Sequence, residues 1–187
     1  MGISIHYNGT IEAERIDPLC AELMDIAKSL KFDESVPVDD DEKGLRGIIL
    51  RPTSEMESIP FLFDSEGRLH ALGDLIAGWD DFPILSVAVK TQFAGESDHI
   101  WLIGLLRYIQ RKYIPLLEVM DEGGYWESND VDELKRRIEK LGAIIKGFGT
   151  ALENAFMDTV VDKNDPDALA DFIERVAQDF RDRLSDG

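Results

Sequence analysis

Two polar segments of the chain carry the side chains best suited to chemistry. Residues 90 to 99 include a cation at Lys90, an amide at Gln92 and an imidazole at His99, and residues 121 to 127 include carboxylates and aromatic rings. Lysine, histidine and carboxylates are the groups that general acid and base catalysis uses, while aromatic rings offer surface to an organic ligand. The ligand-binding candidates of the second segment are Asp121, Glu122, Tyr125, Trp126 and Glu127.

The elements around these segments predict that the two lie side by side. Residues 85 to 91 alternate as a strand does, residues 97 to 112 have helical spacing, and residues 115 to 121 form another strand. Strand, helix and strand in close succession favour a parallel crossover, so both polar segments leave the sheet at the same carboxyl edge. We expect a ligand site at this edge, where the amino end of the helix adds a favourable partial charge.

The same residues also have an ordinary structural interpretation. Lys90 then pairs with a neighbouring carboxylate, the two glycines that follow Glu122 make a turn, and Tyr125 and Trp126 cover the long helix beyond them. A second candidate surface is one face of the sheet, because His6, Lys90 and Glu118 fall on the less apolar side of their strands. If helices cover only the opposite face, these residues line an open concave surface.

The motifs of the common enzyme and metal classes are missing. The acidic run at residues 39 to 42 fails as a calcium loop, because Lys43 would occupy a ligand position and Leu50 the place of the bidentate glutamate. The sequence has no phosphate-binding glycine loop, dinucleotide fingerprint, paired helical histidines or nucleophile elbow. The spacing of His6, His70 and His99 does not require a shared metal, so we assign no metal, cofactor or catalytic residue.

The charge of the chain limits its partners. Its 38 acidic side chains outnumber its 20 basic ones, which gives a formal net charge of −18 and an isoelectric point near 4.4. We expect no nucleic-acid partner, because phosphate binding needs a basic surface. A basic protein or a cationic small molecule fits this charge better.

Several features predict a cytoplasmic protein. Cys20 is the single cysteine, so no disulfide forms within the chain and a reducing compartment is favoured. The first residues lack the basic flank and long apolar region of a secretory signal. The most apolar stretch, residues 100 to 109, is half the ~20 residues that a membrane helix needs and contains Arg107, so no membrane partner is expected.

The whole pattern predicts an α+β fold with a mixed β-sheet. A strand at residues 3 to 7 and a helix carrying Leu19 and Leu23 open the chain, residues 36 to 43 form a loop, and residues 45 to 51 and 61 to 70 form a strand and a hairpin. The predicted sheet includes the βαβ crossover and has helices packed on one face.

Two amphipathic helices at the end of the chain predict a C-terminal αα-hairpin. The first runs on from Val131 and includes Phe148 and Phe156, and the second starts at Pro166 and includes Phe172 and Phe180. We expect a single domain of residues 1 to 187, with the sheet in residues 1 to 127 and the hairpin of residues 128 to 187 packed on it.

Four segments resemble a group of uncharacterised bacterial proteins. They are residues 2 to 7, 45 to 47, 90 to 95 and 121 to 127. The resemblance implies a bacterial cytoplasmic setting and no particular activity.

Three functional hypotheses follow from these observations. The leading one is an acidic binding protein, in the manner of an inhibitor or immunity-type partner of a basic protein. The second is a small enzyme in which Lys90 or His99 acts with Asp121 or Glu122. The third is a structural subunit that forms a homodimer through the C-terminal helices.

Overall fold

The computed structural model of the chain describes residues 2–77, 86–159, 161 and 165–185. Contacts divide the chain into two compact units, Met1–Ile138 and Glu139–Gly187. That the whole chain forms a single domain with the hairpin packed on the sheet region stays a prediction.

The order of elements confirms the α+β class. The first unit contains β1 (Ser4–Asn8), a 3-10 turn (Ala13–Arg15), α1 (Ile16–Leu30), β2 (Glu34–Asp40), β3 (Leu45–Arg51), β4 (Ile59–Phe63), β5 (Leu69–His70), α2 (Leu72–Ala77), β6 (Val87–Lys90), α3 (Glu96–Lys112), β7 (Glu118–Asp121) and α4 (Tyr125–Ser128). Helix α5 (Val131–Asp158) begins in this unit and ends in the second, which also contains α6 (Pro166–Ser185).

The three strands β6, β1 and β7 form one sheet in that order. Both pairings are antiparallel, with Ile5 opposite Val89 on one side and opposite Asp121 on the other. Strands β6 and β7 therefore run in the same direction, as predicted, but β1 lies between them and runs the other way. The prediction of a single mixed sheet is wrong, because every pairing between the described strands is antiparallel.

Alternation along β1 determines which face of this sheet is buried. Ile5 and Tyr7 are buried with Val87 and Val89 of β6, whereas Ala88 lies exposed on the opposite face. The buried face packs into a core shared with α1, α3 and the second sheet, and this agrees with helices on one face only. The core residues of those elements include Leu19, Leu23, Ile48, Leu50, Phe61, Phe63, Leu102, Leu106 and Ile109.

The second sheet has the order β2, β3, β4 and β5. The predicted strand at 45 to 51 and the hairpin that follows are confirmed as β3, β4 and β5. The loop predicted for residues 36 to 43 is wrong, because most of that segment belongs to β2, which pairs with β3. This strand was not predicted because it contains Pro37 and part of the acidic run. Proline is excluded from a central strand, but a strand at the edge of a sheet, such as β2, accepts it. The turn begins only at Asp40, whose Oδ1 accepts a 3.0 Å hydrogen bond from Lys43 N–H.

Backbone hydrogen bonds between the residues after β1 and the turn before β5 link the two sheets within this unit. The Gly67 C=O accepts a 2.9 Å hydrogen bond from Ile11 N–H, and Leu69 N–H donates to the Gly9 C=O at 3.0 Å. Gly67 has φ +76°, and a Cβ placed there would lie 1.9 Å from the Ile11 carbonyl oxygen. Only glycine fits this position, because both the backbone angle and the space exclude a side chain.

The second unit confirms the predicted helix pair. The rings of Phe148 and Phe180 are 5.7 Å apart and those of Phe156 and Phe172 are 4.4 Å apart, so α5 and α6 run antiparallel. Helix α5 is continuous through Gly142, Gly147 and Gly149. Dimerisation through this hairpin stays a prediction.

Residues 71 to 83, which fit no clear pattern in the sequence, begin with α2. Leu85, the first residue of the strand predicted before α3, lies outside the described residues.

Candidate functional site

The carboxyl ends of β6 and β7 carry a buried histidine cluster, which consists of Thr91, His99 and Asp121. Thr91 follows β6, His99 lies in the first turn of α3, and Asp121 ends β7. Thr91 Oγ1 lies 2.7 Å from His99 Nδ1, and His99 Nε2 lies 3.1 Å from Asp121 Oδ1. His99 and Asp121 therefore meet at the edge where the sequence placed them, but their side chains point into the core.

Donors surround the Asp121 carboxylate. Its Oδ1 accepts a 2.7 Å hydrogen bond from Gly123 N–H, and its Oδ2 accepts one of 2.9 Å from Trp126 N–H. Burial by itself raises the pKa of Asp121, but His99 and the backbone donors outweigh burial, so the pKa lies below its ordinary value. The carboxylate is therefore ionised inside the core.

The buried histidine cluster offers no route for a substrate. The side chains of Thr91 and His99 are fully buried. His99 Nε2 is close enough to Asp121 for an ion pair but is out of line for a hydrogen bond. A hydroxyl, imidazole and carboxylate act in nucleophilic catalysis when the hydroxyl can reach its substrate, and burial prevents that here. The cluster instead ties β6, α3 and β7 together.

Lys90 and Gln92 do not join this cluster. Lys90 lies on the opposite face of the sheet, where its Nζ is 5.2 Å from the centre of the Phe93 ring and its N–H donates to Glu57 Oε2 at 2.7 Å. The Gln92 side-chain amide is buried and makes no hydrogen bond with any described residue. Because Lys90 and Asp121 occupy opposite faces, the sheet does not bring together this one of the pairs that the enzyme hypothesis named.

Glu122 and His6 meet on the exposed face of the three-stranded sheet, which we call the outer face. His6 Nε2 lies 3.8 Å from Glu122 Oε1, and Glu122 Oε2 accepts a 2.8 Å hydrogen bond from Ser4 N–H. Both side chains are partly exposed, so this is a surface pair worth about 0 to 1 kcal/mol.

The aromatic residues of the second polar segment lie on α4. Tyr125 and Trp126 are half-buried against the core. The Arg107 guanidinium of α3 lies 5.3 Å from the centre of the Trp126 ring and donates a 2.6 Å hydrogen bond to the Trp126 C=O. Glu127 is exposed. The two rings therefore contribute to the core and to the contact with α3.

The three histidines occupy separate places and do not share a site. His70 lies between two buried carboxylates, with its ring nitrogens each 3.1 Å from an oxygen of Asp64 or Asp74. His6 and His99 belong to the pairs described above. Within residues 2–77, 86–159 and 165–185, no group of three or more histidine, cysteine or acidic side chains is arranged to hold a metal ion.

The outer face carries an exposed strip that the sequence-based predictions missed, apart from Glu118. The outer strip consists of Glu118 and Met120 of β7 together with Leu116 of the turn before it, and these alternate with buried or half-buried residues at 117, 119 and 121. Leu116 is 85% exposed and Met120 is 60% exposed. The sequence does contain a signal for the strip. An extended segment places alternate residues on opposite faces, so apolar residues at both odd and even positions from 116 to 120 predict apolar side chains on both faces.

Two adjoining hollows border the outer strip. The larger has a volume of about 480 Å³ and contains Glu12, Tyr113 and Leu116 in its lining. The smaller, of about 180 Å³, is lined in part by His6 and Met120. Asn8 and Glu118 line both hollows, so the two form a continuous depression along β1 and β7. This depression, with the outer strip, is the candidate binding site.

A carboxylate on α1 fixes the position of α3 behind this site. Glu22 accepts hydrogen bonds from the hydroxyls of Tyr108 and Tyr113 and pairs with Lys112 Nζ at 2.7 Å. These donors, Lys112 first, lower the pKa of Glu22 from 4.5 to about 2. The interaction therefore contributes fully to stability above pH 4.5 and is lost as the pH falls toward 2.

We expect Glu22→Gln to reduce the free energy of unfolding at pH 7 by about 1 to 2 kcal/mol, since charged hydrogen bonds are lost at a partly exposed position. The difference from the wild type should narrow as the pH falls from 4.5 to about 2. Urea unfolding across this pH range measures it. Asp25→Asn, at an exposed position of α1, is the control and should change stability little at any pH. A Glu22→Gln deficit that persists unchanged at pH 2 would contradict the assignment.

Comparisons of the chain with models of protein families, with curated proteins and with solved structures find no match. The resemblance to uncharacterised bacterial proteins accordingly stays a prediction. Across the described residues, no helix has both the length and the apolar character needed to cross a membrane.

Proposed function

We propose that this chain is an acidic binding protein that holds a basic partner protein against its outer face. The observation that carries the proposal is the outer strip, in which the exposed side chains of Leu116 and Met120 flank Glu118. Apolar side chains that stand in solvent beside a depression are typical of interaction sites. A carboxylate between them favours a partner that combines apolar and cationic side chains.

The charge of the chain supports the same partner class. A formal net charge of −18 attracts basic proteins over a distance, and this attraction accelerates association and weakens with salt. Charge alone accelerates association and favours a partner of opposite charge, while apolar contact holds the complex together. The outer strip supplies that contact. Binding of this kind to a basic enzyme would make the protein an inhibitor or immunity-type partner.

A designed peptide of twelve residues that alternate lysine and leucine tests the proposal. We expect it to bind the wild-type protein, and to bind more weakly as salt rises from 50 to 300 mM because counterions screen the charges. A matched peptide with glutamate in place of lysine should not bind. Equal binding of both peptides, or binding that does not depend on salt, would contradict the proposal.

The outer strip should carry the apolar part of this binding. We expect Met120→Ser to weaken binding of the lysine and leucine peptide about tenfold, because a buried methionine side chain is worth about 1.5 to 3 kcal/mol. Met157→Ser is the matched control, since Met157 is 84% exposed but belongs to the second unit. Fluorescence anisotropy of the labelled peptide gives both dissociation constants. If the two variants bind alike, the outer strip is not the site.

A further inference from the structure

The larger hollow beside the outer strip has features of a specific subsite. Glu12 and Glu118 line it, and both residues are exposed. Neither carboxylate makes a hydrogen bond or an ion pair with another side chain in the part of the chain that the structure describes. Elsewhere in this unit carboxylates such as Glu22, Asp64 and Asp121 have several donors each.

The cation that lines the same hollow already has its own contacts. The Arg15 guanidinium donates to the Lys112 C=O and lies 5.2 Å from the centre of the Tyr113 ring. Among the described residues, no ion pair joins Arg15 to Glu12 or Glu118.

Part of the remaining lining of the hollow is apolar. Pro115 and Leu116 line it, and Leu116 is almost fully exposed. Lysine and arginine side chains have an apolar stem and a cationic end, and they place the stem along apolar surface when such surface is offered. The volume of about 480 Å³ is ample for one such side chain.

We infer that this hollow receives a lysine or arginine side chain of the bound partner. The apolar stem lies along Pro115 and Leu116, and the cationic end lies near the carboxylates of Glu12 and Glu118. The inference rests on the proposed function and adds the chemistry of one anchoring side chain. It also explains why the depression continues past the outer strip, since a partner that covers Met120 extends over Glu118 into the hollow.

The chain provides a closely matched pair of variants to test this subsite. Glu12→Gln and Glu14→Gln each remove one negative charge from an exposed position, two residues apart, but only Glu12 is in the lining. Both variants therefore weaken long-range attraction equally, and only the first changes the hollow. Because neither side chain has a partner among the described residues, both variants should fold as the wild type does.

We expect Glu12→Gln to weaken binding of the lysine and leucine peptide roughly threefold at 50 mM salt, and Glu14→Gln to change it by less than about 1.5-fold, as exposed ion pairs have modest strength. Glu12→Gln combined with Glu118→Gln should weaken binding roughly tenfold. In the wild type, the Leu116 methyl resonances should shift when the peptide is added. Equal effects of Glu12→Gln and Glu14→Gln, or unshifted Leu116 methyls, would overturn the subsite.

Failure of the subsite and failure of the proposed function give different results. If the peptide binds and Met120→Ser weakens it while Glu12→Gln and Glu14→Gln behave alike, the subsite is refuted and the proposed function stands. If the wild type does not bind the peptide at all, both are refuted.

Discussion

His99→Ala should lower the free energy of unfolding by about 3 kcal/mol, because it leaves a cavity in the core and removes the imidazole that lies against a buried carboxylate. Asp121 is ionised in the core, and His99 is the largest of the favourable influences on its pKa. The variant also leaves Thr91 Oγ1 without its 2.7 Å contact to His99 Nδ1. Urea unfolding followed by circular dichroism at pH 7 measures the loss.

The control for this prediction is His6→Ala. His6 also pairs with a carboxylate, but at 3.8 Å and on the outer face, so we expect a loss below about 0.5 kcal/mol. The pair of variants compares the same substitution in the core and at the surface. Losses of similar size in the two proteins would show that the buried histidine cluster does not stabilise the fold.

Gly67→Ala should destabilise the protein by about 3 kcal/mol or more. Alanine at this position adds a Cβ 1.9 Å from the Ile11 carbonyl oxygen, which no side-chain rotation relieves because the opposing atom belongs to the backbone. The turn must shift, and the hydrogen bond from Ile11 N–H to the Gly67 C=O is strained or lost. Thermal and urea unfolding both report the change.

Gly44→Ala separates this steric effect from the cost of the backbone angle. Gly44 has φ +63°, close to that of Gly67, but a Cβ there meets nothing within 4 Å. We therefore expect a loss of only about 1 kcal/mol, which is the usual penalty for alanine in the left-handed region. A loss of equal size in Gly44→Ala and Gly67→Ala would mean that the close approach to Ile11 has no energetic effect.

Local patterns predicted most of the elements but not the order of the strands. The alternation of Ile3, Ile5 and Tyr7 identified β1, and helical spacing identified α3 and the C-terminal helices, because each pattern reports which face of one element is buried. The insertion of β1 between β6 and β7 depends on pairing across long stretches of chain, which no local pattern records. Strand β2 was not predicted for a different reason. It contains Pro37, and proline is accepted only in a strand at the edge of a sheet, which the sequence does not reveal.

The candidate site was predictable in part. That His99 and Asp121 lie at one edge follows from the common direction of β6 and β7. In the structure, His99 Nε2 lies 3.1 Å from Asp121 Oδ1. Their burial was not predictable, because histidine and aspartate are usually at least partly exposed and nothing in the sequence marks a contact between the two in the core. The outer strip was not predicted, because Leu116 and Met120 carry no chemical group that marks a site and their exposure depends on the fold.

The central position of β1 has a consequence for how the protein folds. Ile5 pairs with Val89 and with Asp121, so neither side of the three-stranded sheet can close until chain far from β1 has been synthesised and brought back to it. Contacts between such distant residues carry a high entropic cost and are associated with slow folding. During synthesis β1 emerges before β6 and β7, so it can pair with them only after both have followed.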